Sequence, residues 1–295
     1  MDLGIRLMGE WTPLLRPKKF GSYINDHTVF KDKAGGWRLL GVTARGSYAF
    51  FKESSFVEGT TDRLDREMEE VGLKFKANPY RGIKIAPMVY FDKPSDTYHL
   101  YFAGINIYHL SSRDGVNWEN QALAVRSWWP WLRDPHVVKA DKQYLLYVTD
   151  VGNKVSVFAS DDLYHWKKAG VALQLGQGIP KSVNSACESP VVFKWNKWWI
   201  LLTTITPATS SLITRRENYA HTVAFASADP LHFGVYADSR ENTANLIGHL
   251  ETHAPEVIDD SGRLDITTCG WLGFPKPQGV SEEGVYIRGL EIHEV

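Results

Sequence analysis

A short pattern that returns along the chain constrains its fold more than any other feature. A polar or small residue, usually followed by Pro, opens two or three apolar residues, then a turn and a second apolar strand. Four copies carry the Pro: Ala86-Pro87-Met88-Val89-Tyr90, Asp134-Pro135-His136-Val137-Val138, Ser189-Pro190-Val191-Val192-Phe193 and Ala254-Pro255-Glu256-Val257-Ile258. Asp26-His27-Thr28-Val29-Phe30 fits as a fifth copy without it. The strands that follow read Trp37 to Val42, Tyr98 to Ala103, Tyr144 to Val148, Trp198 to Thr203 and Leu264 to Thr268.

A second pattern, Ser-x-Asp-x-x-x-aromatic, occurs downstream of three of these copies: Ser112 to Trp118, Ser160 to Trp166 and Ser227 to Phe233. Its Asp supplies turn chemistry before the aromatic returns to the core. Five copies at roughly 50 to 65 residue spacing predict an all-β chain, with residues 1–295 forming one five-bladed β-propeller. An all-β sandwich with similar hairpins is the competing architecture. Residues 57–76 interrupt the pattern. Leu64, Met68 and Val71 share a helical face among charges, which predicts a short surface helix between the first and second blades.

In a propeller the innermost strand of each blade lines the central channel, so the residues opening these strands converge at one end of it. Pro suits that first position, where no ladder donor is needed. Three of the five openings carry an acid: Asn25-Asp26, Arg133-Asp134 and Cys187-Glu188. Taken singly, each has an ordinary explanation: a turn at Asn25-Asp26, a pair between Asp134 and Arg133, and a similar local role for Glu188. Taken together, acids in register on three blades suit glycoside hydrolysis. One carboxyl group protonates the leaving oxygen and another attacks or activates water. A third binds sugar or tunes a neighbour's titration.

These motifs resemble the five-bladed propeller glycosidases, among them glycoside hydrolase family 43 (arabinanases, arabinofuranosidases, β-xylosidases) and family 32 (invertases and other fructosidases). Tyr23-Ile24-Asn25-Asp26 is similar to the Trp-Met-Asn-Asp motif of family 32, and Leu132-Arg133-Asp134-Pro135 to its Arg-Asp-Pro motif. Cys187-Glu188-Ser189-Pro190 resembles the Glu-containing fourth-blade motif of both families, and His253-Ala254-Pro255 the fifth-blade His of many family 43 members. The resemblance implies that Asp26 is the general base of an inverting enzyme or the nucleophile of a retaining one. It makes Glu188 the general acid, or acid/base, and Asp134 the residue that tunes it, with Asn25 and Arg133 beside them at the substrate. His27-Thr28 stands where family 32 has Pro-Asn, which favours the family 43-like side, and with His253-Ala254-Pro255 this makes inversion the expected outcome.

The substrate implied is an oligosaccharide or polysaccharide, with an arabinofuranoside or xyloside bond ahead of a β-fructofuranoside. Trp128, Trp129 and Trp131, with Trp271 after the fifth blade's second strand, are the expected sugar platform, although core packing is the ordinary fate of any one Trp. Arg215 and Arg216 lie between strands of the fourth blade, either over the mouth of the site or as solvated loop charges. No cofactor is required by this chemistry. His253 is a candidate ligand, through water, for a structural Ca²⁺ in the channel, or a hydrogen-bonded structural residue.

Composition bounds the alternatives. The chain has 295 residues, 43% of them hydrophobic, which supports a large core. Lys and Arg number 33 against 34 Asp and Glu, a net charge of -1 without runs of one sign, so no footprint for nucleic acid or an anionic membrane is present. No apolar run is long enough to span a bilayer. The start MDLGIRLMGEW lacks the features of a secretory leader; this points to the cytoplasm, with export after leader removal left open. Cys187 and Cys269 alone exclude a disulfide framework. A carbohydrate-binding propeller without activity, or a protein-interaction scaffold, would use the same architecture, but neither needs acids on three inner strands. The oligomeric state is not legible.

Overall fold

Every predicted inner strand forms, and each carries a sheet behind it. The computed structural model describes residues 3–18, 22–45, 52–75, 83–126, 132–179, 187–205, 220–270 and 276–295. No α-helix occurs among these residues, which build five sheets, antiparallel except for one added strand.

From the axis outward, the first blade is β2 (Ser22–Lys31), β3 (Trp37–Arg45), β4 (Phe56–Thr61) and β5 (Glu69–Lys74). The second is β6 (Ile85–Asp92), β7 (Thr97–Ala103), β8 (Ile107–Ser112) and β9 (Glu119–Val125). The third is β10 (Arg133–Ala140), β11 (Gln143–Asp150), β12 (Lys154–Ser160) and β13 (Lys167–Leu175). The fourth is β14 (Cys187–Trp195), β15 (Trp198–Ile205), β16 (Thr222–Ser227) and β18 (Leu246–Leu250). Between β16 and β18 the chain crosses to the third blade, where β17 (Gly234–Tyr236) adds in parallel to β13.

The fifth blade closes the ring. β19 (Val257–Asp260), β20 (Arg263–Cys269) and β21 (Val285–Glu294) are completed on the outside by β1 (Leu3–Leu15), whose Leu3 pairs with Glu294. The segment before the first blade therefore belongs to the last one, an assignment that the repeat pattern did not reveal.

Apolar clusters fill the seams between neighbouring sheets. One runs from Phe30, Leu40 and Phe56 through Leu100 and Phe102 to Leu146 and Phe158. The others join the third and fourth blades, the fourth and fifth, and the fifth and first. Second strands sit deepest; every residue of β7 is buried, which suits its run of aromatic and apolar residues.

The three Ser-x-Asp turns latch the second, third and fourth blades each to the one before it. Ser112 Oγ accepts from Gly115 N at 2.9 Å, and Asp114 Oδ1 from Val116 N and Asn117 N, each at 2.8 Å. Ser160 and Asp162 repeat this arrangement. Trp118 then meets Phe30 of the first blade edge-on, and Trp166 meets Tyr101 of the second. Tyr hydroxyls reinforce the latches: Tyr101 donates to Leu163 O at 2.6 Å and Tyr147 to Pro230 O at 2.7 Å.

The predicted helix within 57–76 is absent; β4 and β5 occupy most of that segment. Its supposed apolar face divides, with Leu64 and Met68 buried under the first blade and Val71 53% exposed. β5 is an outer edge strand, where charged side chains are favoured because they deter pairing with other chains. Glu69, Glu70 and Lys74 serve that purpose, and their spacing imitates a helical one.

Candidate active site

The repeat builds its site from a bulge. Four inner strands slip by one residue at the same place, between Ile24 and His27, Ile85 and Met88, Arg133 and His136, and Glu188 and Val191. A bulge bends the strand and re-aims a side chain. Each residue before a repeat Pro takes a positive φ: Ala86 at 49°, Asp134 at 55°, Ser189 at 50° and Ala254 at 41°. Such conformations cost about 1–3 kcal/mol each and concentrate at functional sites. Asp26, followed by His27, is not in this left-handed region.

All five strand openings surround one axial cavity of about 290 Å³, open solvent included, lined by residues that include Asp26, Asp134, Ser189 and Glu256. Asp26 keeps part of its surface in this cavity, whereas Asp134 is only 6% exposed. Ser189 bridges them. Its backbone N–H donates to Asp134 Oδ2 at 3.0 Å and its hydroxyl to Asp26 Oδ1 at 3.4 Å. Thr149 of β11 gives Asp134 Oδ2 a further hydrogen bond at 2.7 Å.

Arg133 ties the third blade to the fourth. Its Nη2 lies 2.6 Å from Glu188 Oε1 and its Nε 3.5 Å from Asp134 Oδ2. Three predicted acids from three blades thus meet through Ser189 and Arg133. Glu188 itself is 7% exposed and does not line the cavity; its carboxylate is engaged by the guanidinium.

Burial dominates the electrostatics. It pushes the Asp26 carboxyl well above the usual Asp range, helped by the charges of Asp134, Glu53 and Glu188, with Arg133 opposing. Burial also raises Asp134, against the pull of Arg133 and of the hydrogen bonds from Ser189 and Thr149. Glu256 is pushed up to about 8 by burial alone. Three imidazoles around the axis stay neutral for the same reason, His136 at about 4 and His27 and His253 at about 3.

Two predicted residues face elsewhere. Asn25 is 4% exposed and turned inward, its Oδ1 accepting from Cys269 Sγ at 3.5 Å. His253 is 3% exposed, with Nδ1 3.8 Å from the same sulfur; on that blade Ala254, Pro255 and Glu256 line the cavity instead. No group of three or more His, Cys, Asp or Glu side chains among the described residues could hold a metal ion. Trp128, Trp129, Trp131, Trp271, Arg215 and Arg216 lie outside the described residues.

Sequence reasoning missed Ser189, Thr149, Glu256 and Glu53. Ser189 carried a signal, because it occupies the register position of Asp26 and Asp134. Glu53 carried none, since it lies in a connection outside the repeat.

No protein-family model and no curated relative matches the sequence. Solved structures do. A GH62 α-L-arabinofuranosidase catalytic domain from Coprinopsis cinerea aligns with a TM-score of 0.67 at 14% identity, over 95% of this chain and 96% of that one. An exo-1,5-α-L-arabinanase from a bovine ruminal metagenomic library gives 0.64 at 13%, over 90% and 93%. The likeness is one of fold. A β-fructofuranosidase from Schwanniomyces occidentalis gives 0.65 at 14%, over 88% of this chain but 54% of its own length.

Proposed function

We propose that this chain is a glycoside hydrolase that cleaves an arabinofuranoside or xyloside bond in an oligosaccharide or polysaccharide, with inversion. The observation that carries the reading is the meeting of Asp26, Asp134 and Glu188 from three separate blades, linked by Ser189 and Arg133. Structural or binding roles alone do not call for three acids at one end of a channel. The arabinofuranosidase and arabinanase match over nine-tenths or more of both chains, which favours that substrate class.

In this reading Asp26 takes a proton from the attacking water and Glu188 gives one to the leaving oxygen. Asp26 must be ionised to act. Burial delays its ionisation, so activity rises with pH through a limb above that of an ordinary Asp. Glu188 needs its proton and a free path to the substrate, and Arg133 occupies that carboxylate. A sugar entering the cavity would turn the guanidinium toward Asp134, already 3.5 Å away. Asp134, held by Thr149 and Ser189, is then the fixed acceptor for a sugar hydroxyl.

Hydrolysis of a panel of nitrophenyl furanosides and pyranosides, with sucrose and inulin alongside, tests the reading. Product configuration followed by NMR immediately after cleavage separates inversion from retention. The fructofuranosidase likeness supports a retaining β-fructofuranosidase as the second reading. Release of fructose with retention would replace the first reading by the second. Sugar binding without turnover on any substrate would instead leave a carbohydrate-binding propeller.

A further inference from the structure

Among the described residues that line the axial cavity, Glu256 is an acid that the three-acid scheme does not use. It immediately precedes β19 and is partly buried. It stands one place past the repeat Pro, where the first and third blades carry Thr28 and His136. Those two side chains stitch their blade to the next: Thr28 Oγ1 accepts from Val89 N at 3.2 Å, and His136 Nε2 donates to Val192 O at 2.9 Å. The Glu256 carboxyl makes no hydrogen bond or ion pair among the described residues. Its backbone, by contrast, is fixed by Thr267 of β20. Thr267 N donates to Glu256 O at 2.9 Å and Thr267 Oγ1 accepts from Glu256 N at 3.0 Å, while the same hydroxyl lies 2.7 Å from Nε2 of His27, the residue after Asp26. An enclosed polar group without a partner costs about 1–3 kcal/mol. A held backbone carrying such a side chain into a cavity therefore suits a group kept for a ligand.

We propose that Glu256 is a substrate-binding residue, the fifth blade's contribution to the site, whose carboxyl pairs with a hydroxyl of the sugar seated in the axial cavity. The inference rests on the carbohydrate reading of that cavity given above. Burial supports it by holding the Glu256 proton up to about 8. A protonated carboxyl offers a donor and an acceptor together, which matches a hydroxyl, whereas an ionised carboxylate only accepts. The other titratable groups lining the cavity are Asp26 and His27 of β2 and Asp134 and His136 of β10. Burial keeps both of these imidazoles neutral.

The test is sugar binding by the full chain, followed by NMR titration with L-arabinose, D-xylose and D-fructose at about pH 6 and about pH 9.5, on either side of the Glu256 titration. Glu256→Leu removes donor and acceptor and should weaken binding about tenfold at the lower pH. Glu256→Gln keeps one of each and cannot ionise. It should bind more tightly than E256L at both pH values, and its affinity should fall less than the wild type's at the higher one. That comparison separates Glu256 from Asp26 and Asp134, which E256Q leaves in place. Binding by E256L as tight as the wild type's overturns the proposal. So does a fall with pH in E256Q equal to the wild type's, or a wild type that binds none of the three sugars. If E256L does not fold, the E256Q comparison decides alone. A wild type that hydrolyses no substrate while E256L loses affinity would count against the glycosidase reading only. Hydrolysis by the wild type with binding undisturbed in E256L would count against this inference only.

Discussion

Arg133 Nη2 lies 2.6 Å from Glu188 Oε1, and the two side chains are only 15% and 9% exposed. An enclosed pair of this kind contributes less than its Coulomb energy suggests, because both ions give up water, but breaking it strands a charge. Arg133→Met should therefore destabilise the fold by about 3 kcal/mol in urea titrations. Glu188→Gln in the same chain should restore part of that loss, with a coupling of about 1–3 kcal/mol across the double-mutant cycle. Additive losses would show that the pair is not coupled in solution.

Asp26→Asn and Glu188→Gln are nearly isosteric, so thermal melting should report intact folds. Turnover on the best panel substrate should fall by about 10²–10⁴-fold in each, the contribution of a positioned acid or base. Wild-type rates in either variant would remove that residue from the mechanism.

Stability should carry the signature of Glu256. The folded chain holds its proton up to about 8, against an ordinary value of 4.5. Between those pH values the folded state binds more protons than the unfolded one, so stability falls as pH rises. Glu256→Gln removes that part of the dependence and leaves the part due to Asp26 and Asp134, whose carboxyls burial also raises. The variant should match the wild type at pH 4 and exceed it by a few kcal/mol at pH 8, read from denaturant midpoints at each pH.

Thr149→Val preserves shape and deletes the 2.7 Å hydrogen bond to Asp134 Oδ2. A buried acceptor that loses its donor costs about 1–3 kcal/mol. The lost bond also favoured the carboxylate, so Asp134 should titrate at higher pH in the variant, as NMR would detect. An unaltered titration would mean that Ser189 and Arg133 alone hold that carboxylate.

Much of this site was legible because it is periodic. Asp26, Asp134 and Glu188 were found through strand openings that recur, and those openings converge because an axis brings them together. Residues outside the period were invisible. Glu53 is buried against Tyr23 from a β3–β4 connection, and β1 joins the fifth blade by pairing with a strand almost the whole chain away. Which way Asn25 faces was not legible for a different reason. A strand presents alternate residues to opposite faces, and a single-residue bulge decides which face each one meets; the bulge at 24–27 sends Asp26 to the axis and Asn25 to Cys269. The false helix arose where edge-strand charges happened to space themselves like a helical face.

The excursion of β17 onto β13 leaves the third blade with five strands where the others have four. Backbone bonds from Phe233 N to Ala172 O at 2.6 Å, Gly176 N to Tyr236 O at 2.8 Å and Asp238 N to Gln177 O at 2.8 Å stitch this seam along its length. Among the described residues the outer strands of the other blades have no such added strand, so their amides should exchange with solvent hydrogen early. The third and fourth blades, joined along this seam, should instead open as one cooperative unit in the same exchange experiment. Those are the blades that bear Asp134, Arg133 and Glu188, so slow exchange there would mean that the spacing of these two acids is held while the first blade, which carries Asp26, breathes separately.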